Sequence, residues 1–212
     1  MSGASAVAII VMAKPPSDAK SRLRAECGSE HGDLLARAML LDTLDAVVES
    51  SARKRVVAVD GPAGDWIPPG FTIVTQRGDD LAQRLASAFD DIGGPAIAVA
   101  IDTPQITGAL LDDAAARLLA PGTDAVLGPA DDGGYWAIGL RDADPRVFVD
   151  VPMSTATTAA AQLQRLAELE LTTDLLPELR DIDRLDDAVV VAAQAPNTRL
   201  AAALSRVTTE AR

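Results

Sequence analysis

Short apolar runs rich in β-branched residues alternate along this chain with longer stretches of helical period, an order that confines it to a mainly parallel sheet covered by helices. Residues 6–13 (AVAIIVMA) read as the first strand, and 56–59, 71–75, 96–101, 124–127 and 135–140 as later ones. Between them, 32–50 place Leu34, Leu35, Ala38, Leu41, Leu44 and Val48 along one helical face. Residues 79–91 carry Leu81, Leu85 and Phe89 four apart and form a second helix. Further helices are expected at 109–119, 154–169, 186–194 and, packing on the outside, 197–208. No repeat or linker divides the chain, so a single domain over 1–212 is the expectation.

Composition removes several classes of function. Nineteen basic against 31 acidic residues give a net charge of −12, the wrong sign for neutralising a nucleic-acid backbone, and aromatics at 3% leave few platforms for base stacking. The run at 6–13 is far shorter than the roughly 20 residues a membrane span needs. A lone cysteine, Cys27, excludes an internal disulfide and suits the cytoplasm. No nucleic acid and no membrane are therefore expected as partners. A homodimer is compatible with the sequence, which carries no argument for it.

Charge is uneven: residues 1–55 hold 8 basic and 7 acidic side chains, whereas 56–212 hold 11 and 24. The loop after the first strand, AKPPSDAKSRL, carries Lys14, Lys20 and Arg22 and includes two of the three lysines. It matches neither G-x-G-x-x-G nor the P-loop pattern. These cations at a strand's carboxyl end suit phosphate oxygens; an exposed basic loop is the alternative.

The apolar strand 96–101 ends on Asp102, presenting a carboxylate where open α/β sheets bind ligands. Asp102 either caps the helix after Pro104 or binds a hard cation together with substrate phosphate. In RDIDRLDD, alternation puts Asp181 and Asp183 on one face as a pair of candidate metal ligands, with Asp186 and Asp187 in a following first helical turn. The loop GPADDGGYW combines Asp131 and Asp132 with Gly133 and Gly134, which suit a close ligand approach or an ordinary turn. QRGDDL opens a helix that Asp79 or Asp80 caps, and Ser154 and Thr155 open another. His31 is the only histidine and reads as a surface side chain, which leaves a Ser-His-Asp hydrolase without support.

AKPPSDAKSRL, QRGDDLAQRL, AIDTPQIT, GPADDGGYWAIGL and RDIDRLDDAV stand in the order and spacing of a known group. The chain resembles the bacterial nucleotide-diphospho-sugar transferases of the arsenosugar-biosynthesis type, relatives of phospholactate guanylyltransferase, over most of 6–193. The resemblance implies a GT-A type, Rossmann-like three-layer α/β/α fold that uses Mg²⁺ or Mn²⁺. It implies that Lys14, Lys20 and Arg22 contact phosphate, that Asp102 with Asp181 and Asp183 holds the metal, and that Ser154 faces the substrate. Gly78, Asp132, Gly133 and Gly134 fall in the nucleotide-binding segments, and Lys20 and Asp102 are the expected catalytic pair. The first loop departs from the family in having five residues and no glycine between Lys14 and Lys20, and Met153 stands where members often have Trp.

The expected partners are a nucleotide and a small-molecule acceptor. The function implied is metal-dependent nucleotidyl transfer from a nucleoside triphosphate to a phosphorylated small molecule. Sugar transfer from a nucleotide-sugar, with Asp131 or Asp132 activating the acceptor hydroxyl, is a second reading, and a catalytically silent nucleotide-binding protein a third.

Overall fold

The computed structural model describes residues 6–210. Among them the strands are β1 (Ala8–Ala13), β2 (Lys54–Val59), β3 (Thr72–Thr75), β4 (Ala96–Val99), β5 (Ala125–Pro129), β6 (Tyr135–Leu140) and β7 (Thr173–Leu175). The helices are α1 (Ser21–Cys27), α2 (Ser29–Glu49), α3 (Leu81–Ile92), α4 (Gly108–Leu118), α5 (Thr158–Glu168), α6 (Leu185–Gln194) and α7 (Arg199–Glu210).

The strands form one sheet in the order β3-β2-β1-β4-β6-β5-β7. All neighbouring pairs are parallel except those of β6, which runs antiparallel to both β4 and β5. The short connection 130–134 explains this, because a parallel crossover needs about a dozen residues or more. The mainly parallel sheet expected from the sequence is present.

Strand period sorts the core into two layers. Ile9, Val11 and Ala13 face α2 and α4, in a cluster with Leu40, Leu44, Leu111 and Leu118. Ala8 and Ile10 face the other way, toward Leu85 and Phe89 of α3 and Leu166 of α5. Burial on both faces is why β1 reads as a continuous apolar run rather than an alternating one. A third cluster of Leu23, Leu35, Met39, Ile182, Val191 and Leu204 joins α1, α2, α6 and α7. Among the described residues no helix is long and apolar enough to cross a membrane.

Three expectations are corrected. The stretch expected to be loop contains α1, a seven-residue helix that buries only Leu23 and so carries almost no hydrophobic period. Strand β7, at the sheet edge, was not foreseen, and with three residues it shows no pattern of its own. Helix α5 starts at Thr158 rather than at 154, because Ser154 takes a φ of 58° and turns the chain before the helix begins.

The topology gathers the loops that matter. The carboxyl ends of β1 and β4 lie at one edge of the sheet, and the antiparallel β6 begins there, with Ala137 beside Val99 and Ala100 N donating to Trp136 O. The first loop, the segment after β4 and the DDGG loop therefore converge without further constraint.

Candidate active site

Lys20 is the hub of this edge. It precedes α1 in the left-handed region (φ 52°, ψ 53°), a conformation that costs a non-glycine residue of order 1–3 kcal/mol. Its side chain, only 11% exposed, reaches back across the sheet edge. Nζ donates to Asp102 Oδ2 at 2.8 Å and to Asp183 Oδ1 at 2.9 Å. Burial alone would lower its pKa, but Asp102 and Asp183 outweigh burial and raise it above the usual lysine value.

Asp102 does not cap the following helix. Helix α4 begins at Gly108, and the Thr107 hydroxyl caps it by accepting from Leu110 N. Asp102 is left to the cleft, while its backbone carbonyl accepts from Ile182 N at 2.9 Å. That bond pins the late acidic segment: Ile182 is fully buried, and Asp181 and Asp183 on either side of it both line the cleft. Asp183 Oδ2 also accepts from Arg22 Nη1 at 2.7 Å. Burial works against ionisation of Asp183, yet Lys20 and Arg22 hold it below the usual carboxylate range.

Among the described residues Asp181 has no such partner. Burial first, then the charges of Asp102 and Asp132, push its carboxyl up to about 7, with Lys20 only partly opposing them. The cleft thus carries more negative charge than its own cations neutralise.

A cavity of ≈ 580 Å³ joins these groups: Lys14, Lys20 and Arg22 line it together with Asp102, Asp132, Asp181, Asp183 and Ser154. Lys14 is tied to Asp60 at 3.1 Å, and Arg84 donates to the same carboxylate. Lys14, ahead of burial and Arg84, holds Asp60 below its ordinary pKa. Asp60 was missed from the sequence, although it follows β2 directly, as Asp102 follows β4 at close range. Tyr135, which lines a smaller recess off the cleft, was singled out only as an aromatic.

Among the described residues no three His, Cys, Asp or Glu side chains form a ready-made metal cage. The trio expected from the sequence, Asp102, Asp181 and Asp183, is divided by the Lys20 ammonium. The oxygen donors nonetheless suit a hard cation, since Mg²⁺ typically takes about one or two carboxylates and completes its shell with substrate phosphate and water. The unpaired Asp181 beside Asp102 meets that requirement.

The glycines separate by role. Gly78 does not line the cleft; its φ is 130°, and a Cβ there would lie 2.4 Å from Gln83 Cβ, so it serves the turn into α3. Asp80, not Asp79, caps that helix by accepting from Gln83 N at 2.8 Å. Gly133 has φ 90°, and its carbonyl accepts from Ala159 N, docking the DDGG loop on α5. Gly134 lines the recess and donates its N–H to Asp132 Oδ1 at 2.7 Å.

His31 lies in a separate groove with Arg37, Arg206 and Glu30. Its Nε2 pairs with Glu210 Oε2 at 3.1 Å, and its Nδ1 is 3.1 Å from Cys27 O. The Glu210 hydrogen bond, ahead of the opposing effect of burial, raises the imidazole pKa. A raised histidine pKa stabilises the fold below the unfolded value of about 6.5, and this contribution is lost as pH rises through the folded value. In an NMR titration the sole imidazole is expected to have a midpoint above 6.5, and Glu210→Gln to bring it back toward that value. A wild-type midpoint at or below 6.5 would remove the pairing.

The fold is that of nucleotidyltransferase and GT-A-like α/β proteins. A candidate nucleotide-diphospho-sugar transferase from Desulfovibrio desulfuricans G20 superposes with a TM-score of 0.86 at 25% identity, over 97% of this chain and 96% of its own. A CMP:2-keto-3-deoxy-manno-octonic acid synthetase solved with CTP shares the fold at TM-score 0.63 and 12% identity, over 90% and 98% of the two chains. In sequence, the 2-phospho-L-lactate guanylyltransferase of Haloarcula marismortui is 29% identical over 166 residues, which cover 75% of this chain and 76% of that one.

The chain belongs to DUF2064, a family described as uncharacterized proteins conserved in bacteria, whose model matches residues 34–155. The resemblance read from the motifs is borne out by these relatives.

Proposed function

We propose that this protein is a divalent-metal-dependent nucleotidyltransferase that joins a nucleoside triphosphate to a phosphorylated small molecule and releases pyrophosphate. The observation that carries the reading is one cleft lined by Lys14, Lys20 and Arg22 together with Asp102, Asp132 and Asp181. The relatives named above, a guanylyltransferase and a nucleotide-diphospho-sugar transferase, support a transferase acting on nucleotides. The reading treats residues 1–212 as one domain working in the cytoplasm.

In the reaction an acceptor phosphate oxygen attacks the α-phosphorus, the bond from that phosphorus to the bridging oxygen breaks, and pyrophosphate leaves with its electron pair. No proton has to be removed from the nucleophile, because a phosphate is already ionised. The protein aligns the reactants and disperses charge. Lys14 and Arg22 bind triphosphate oxygens, and Lys20 holds the two acidic segments in register through Asp102 and Asp183. Asp102 and Asp181 would hold Mg²⁺ or Mn²⁺, which supplies charge neutralisation for the phosphates.

Thermal-shift titration with nucleoside triphosphates and nucleotide-sugars, with and without Mn²⁺, tests the proposal on the unsubstituted chain and on Asp102→Ala. A Mn²⁺-dependent shift by one triphosphate, lost in Asp102→Ala, is expected, together with pyrophosphate release when acceptor is added. A shift by nucleotide-sugars alone would establish the second reading, sugar transfer, which the Desulfovibrio relative favours. Equal shifts in Asp102→Ala would remove the metal assignment.

A further inference from the structure

Lys14 and Asp60 are made neighbours by the sheet register. Strands β1 and β2 run parallel with Ala13 beside Val59, so the next residue of each leaves the sheet at the same edge, and Asp60 N donates to Ala13 O at 2.9 Å. Gln76, which follows β3, clamps the same corner. Its N donates to Val59 O, and its Nε2 donates to Ala58 O at 2.8 Å and to Ala13 O at 3.2 Å. The backbone under the pair is therefore tied at several points, and the mobile part is the four-carbon stem of Lys14, whose side chain is 51% exposed.

Asp60 serves two cations through one oxygen. Its Oδ2 lies 3.1 Å from Lys14 Nζ and accepts from Arg84 Nη1, while Arg84 Nε donates to Gly78 O at 3.2 Å. Lys14 lines the cleft, whereas Asp60 and Arg84 do not. The carboxylate stays ionised at neutral pH, since Lys14, ahead of the opposing burial and of Arg84, holds its pKa below the ordinary value. Among the described residues Lys14 has no other acidic partner, so an incoming phosphate competes with Asp60 for the ammonium. The cost of that exchange depends on Arg84. With the guanidinium in place Asp60 keeps a charged partner when Lys14 turns to the phosphate, and without it the carboxylate holds Lys14 harder.

We infer that Asp60 is a displaceable counter-ion for Lys14, and that Arg84, by sharing Asp60, sets how readily Lys14 is given up to a polyphosphate. Both are positioning residues that act on phosphate through Lys14. The inference rests on the nucleotidyl-transfer reading, in which Lys14 binds triphosphate oxygens. It gives a task to the QRGDDLAQRL segment, whose Gly78 does not line the cleft: Gln76 fixes the corner and Arg84 tunes its charge. An enzyme that must let pyrophosphate go is served by a phosphate contact that is opposed, because product release commonly limits turnover.

Isothermal titration calorimetry with inorganic triphosphate and with pyrophosphate, each in the presence of Mn²⁺, separates this task from a role in folding. Arg84→Met is expected to weaken triphosphate binding about fivefold, the scale of one partly exposed ion pair. Asp60→Asn is expected to tighten it by about two- to fivefold, since the competing carboxylate is gone. The double variant is expected to regain at least the affinity of the unsubstituted protein. If Arg84 acted only by holding Gly78 O and the turn into α3, the double variant would stay weak. Weaker binding by Asp60→Asn, a double variant as weak as Arg84→Met, binding that ignores Lys14→Met, or no binding of either anion to the unsubstituted protein would each overturn the inference. The nucleotidyl-transfer reading is scored by the choice of anion: an Arg84 effect on pyrophosphate with none on triphosphate removes that reading and leaves the shared counter-ion standing.

Discussion

Lys20→Met is expected to be roughly 3–5 kcal/mol less stable than the unsubstituted protein, a fall in Tm of about 6–20 °C for a chain of this size. Methionine keeps most of the apolar stem and removes the charge, so the loss is electrostatic. With Lys20 gone, Asp102 loses its ammonium and Asp183 keeps only Arg22, which is 71% exposed. Asp132 and Asp181 then stand beside two more poorly compensated carboxylates in the same cleft. Urea melts of Lys20→Met, Asp102→Asn and the double variant measure the coupling. The double variant is expected to be clearly more stable than the sum of the single losses predicts, because removing the carboxylate removes what the lysine was neutralising.

A divalent cation provides an independent readout. Mn²⁺ is expected to raise the Tm of Lys20→Met more than that of the parent, since it replaces the missing positive charge. Turnover in the same variant should drop about 100-fold, the scale on which a roughly 1 Å misplacement of the groups that Lys20 holds, Asp102 and Asp183, acts on rate. Additive stability losses together with no difference in the Mn²⁺ response would show that Lys20 acts by packing alone.

Gly133→Ala is the second large effect. A Cβ at Gly133 would lie 2.0 Å from Ala156 O, and the backbone there has φ 90°. The obstacle is backbone, so no side-chain rotation relieves it. Strain of this kind costs about 1–3 kcal/mol for the conformation, and the clash adds to it, giving a loss of roughly 3 kcal/mol or more. The DDGG loop must then lift from α5 and break the Ala159 N to Gly133 O bond. Triphosphate binding in the cleft is expected to weaken as well, because Asp132 on the same loop lines that cleft with Lys14 and Arg22. A variant with the stability and triphosphate affinity of the unsubstituted protein would refute this account.

The route by which each feature became visible differs. Asp102 was legible because the strand before it is apolar throughout, and a charge that ends such a run stands at the sheet edge. Asp181 and Asp183 were legible by alternation about Ile182, though the segment is held by a bond to Asp102 O rather than by a regular strand. The reversal of β6 was also within reach, since the 130–134 connection is too short for a crossover. Helix α1 and strand β7 left no trace, the first burying a single side chain and the second spanning three residues. Ser154 was misread as a helix start because its positive φ has no signature in a residue that usually caps helices.

The sequence by itself determined the layers: which runs become strands, which faces of the helices turn inward, and at which edge the charged loops emerge. Hydrophobic burial is written in local periods of two and 3.6 residues, and a single chain displays them without reference to its partners. Only the tertiary structure decided which charges meet. Lys20 pairs with Asp102 and Asp183, 82 and 163 residues away, and leaves Asp181 only partly compensated. An ion pair depends on a few ångströms of separation and on the water excluded around it, and both are set only when distant loops converge on the same sheet edge.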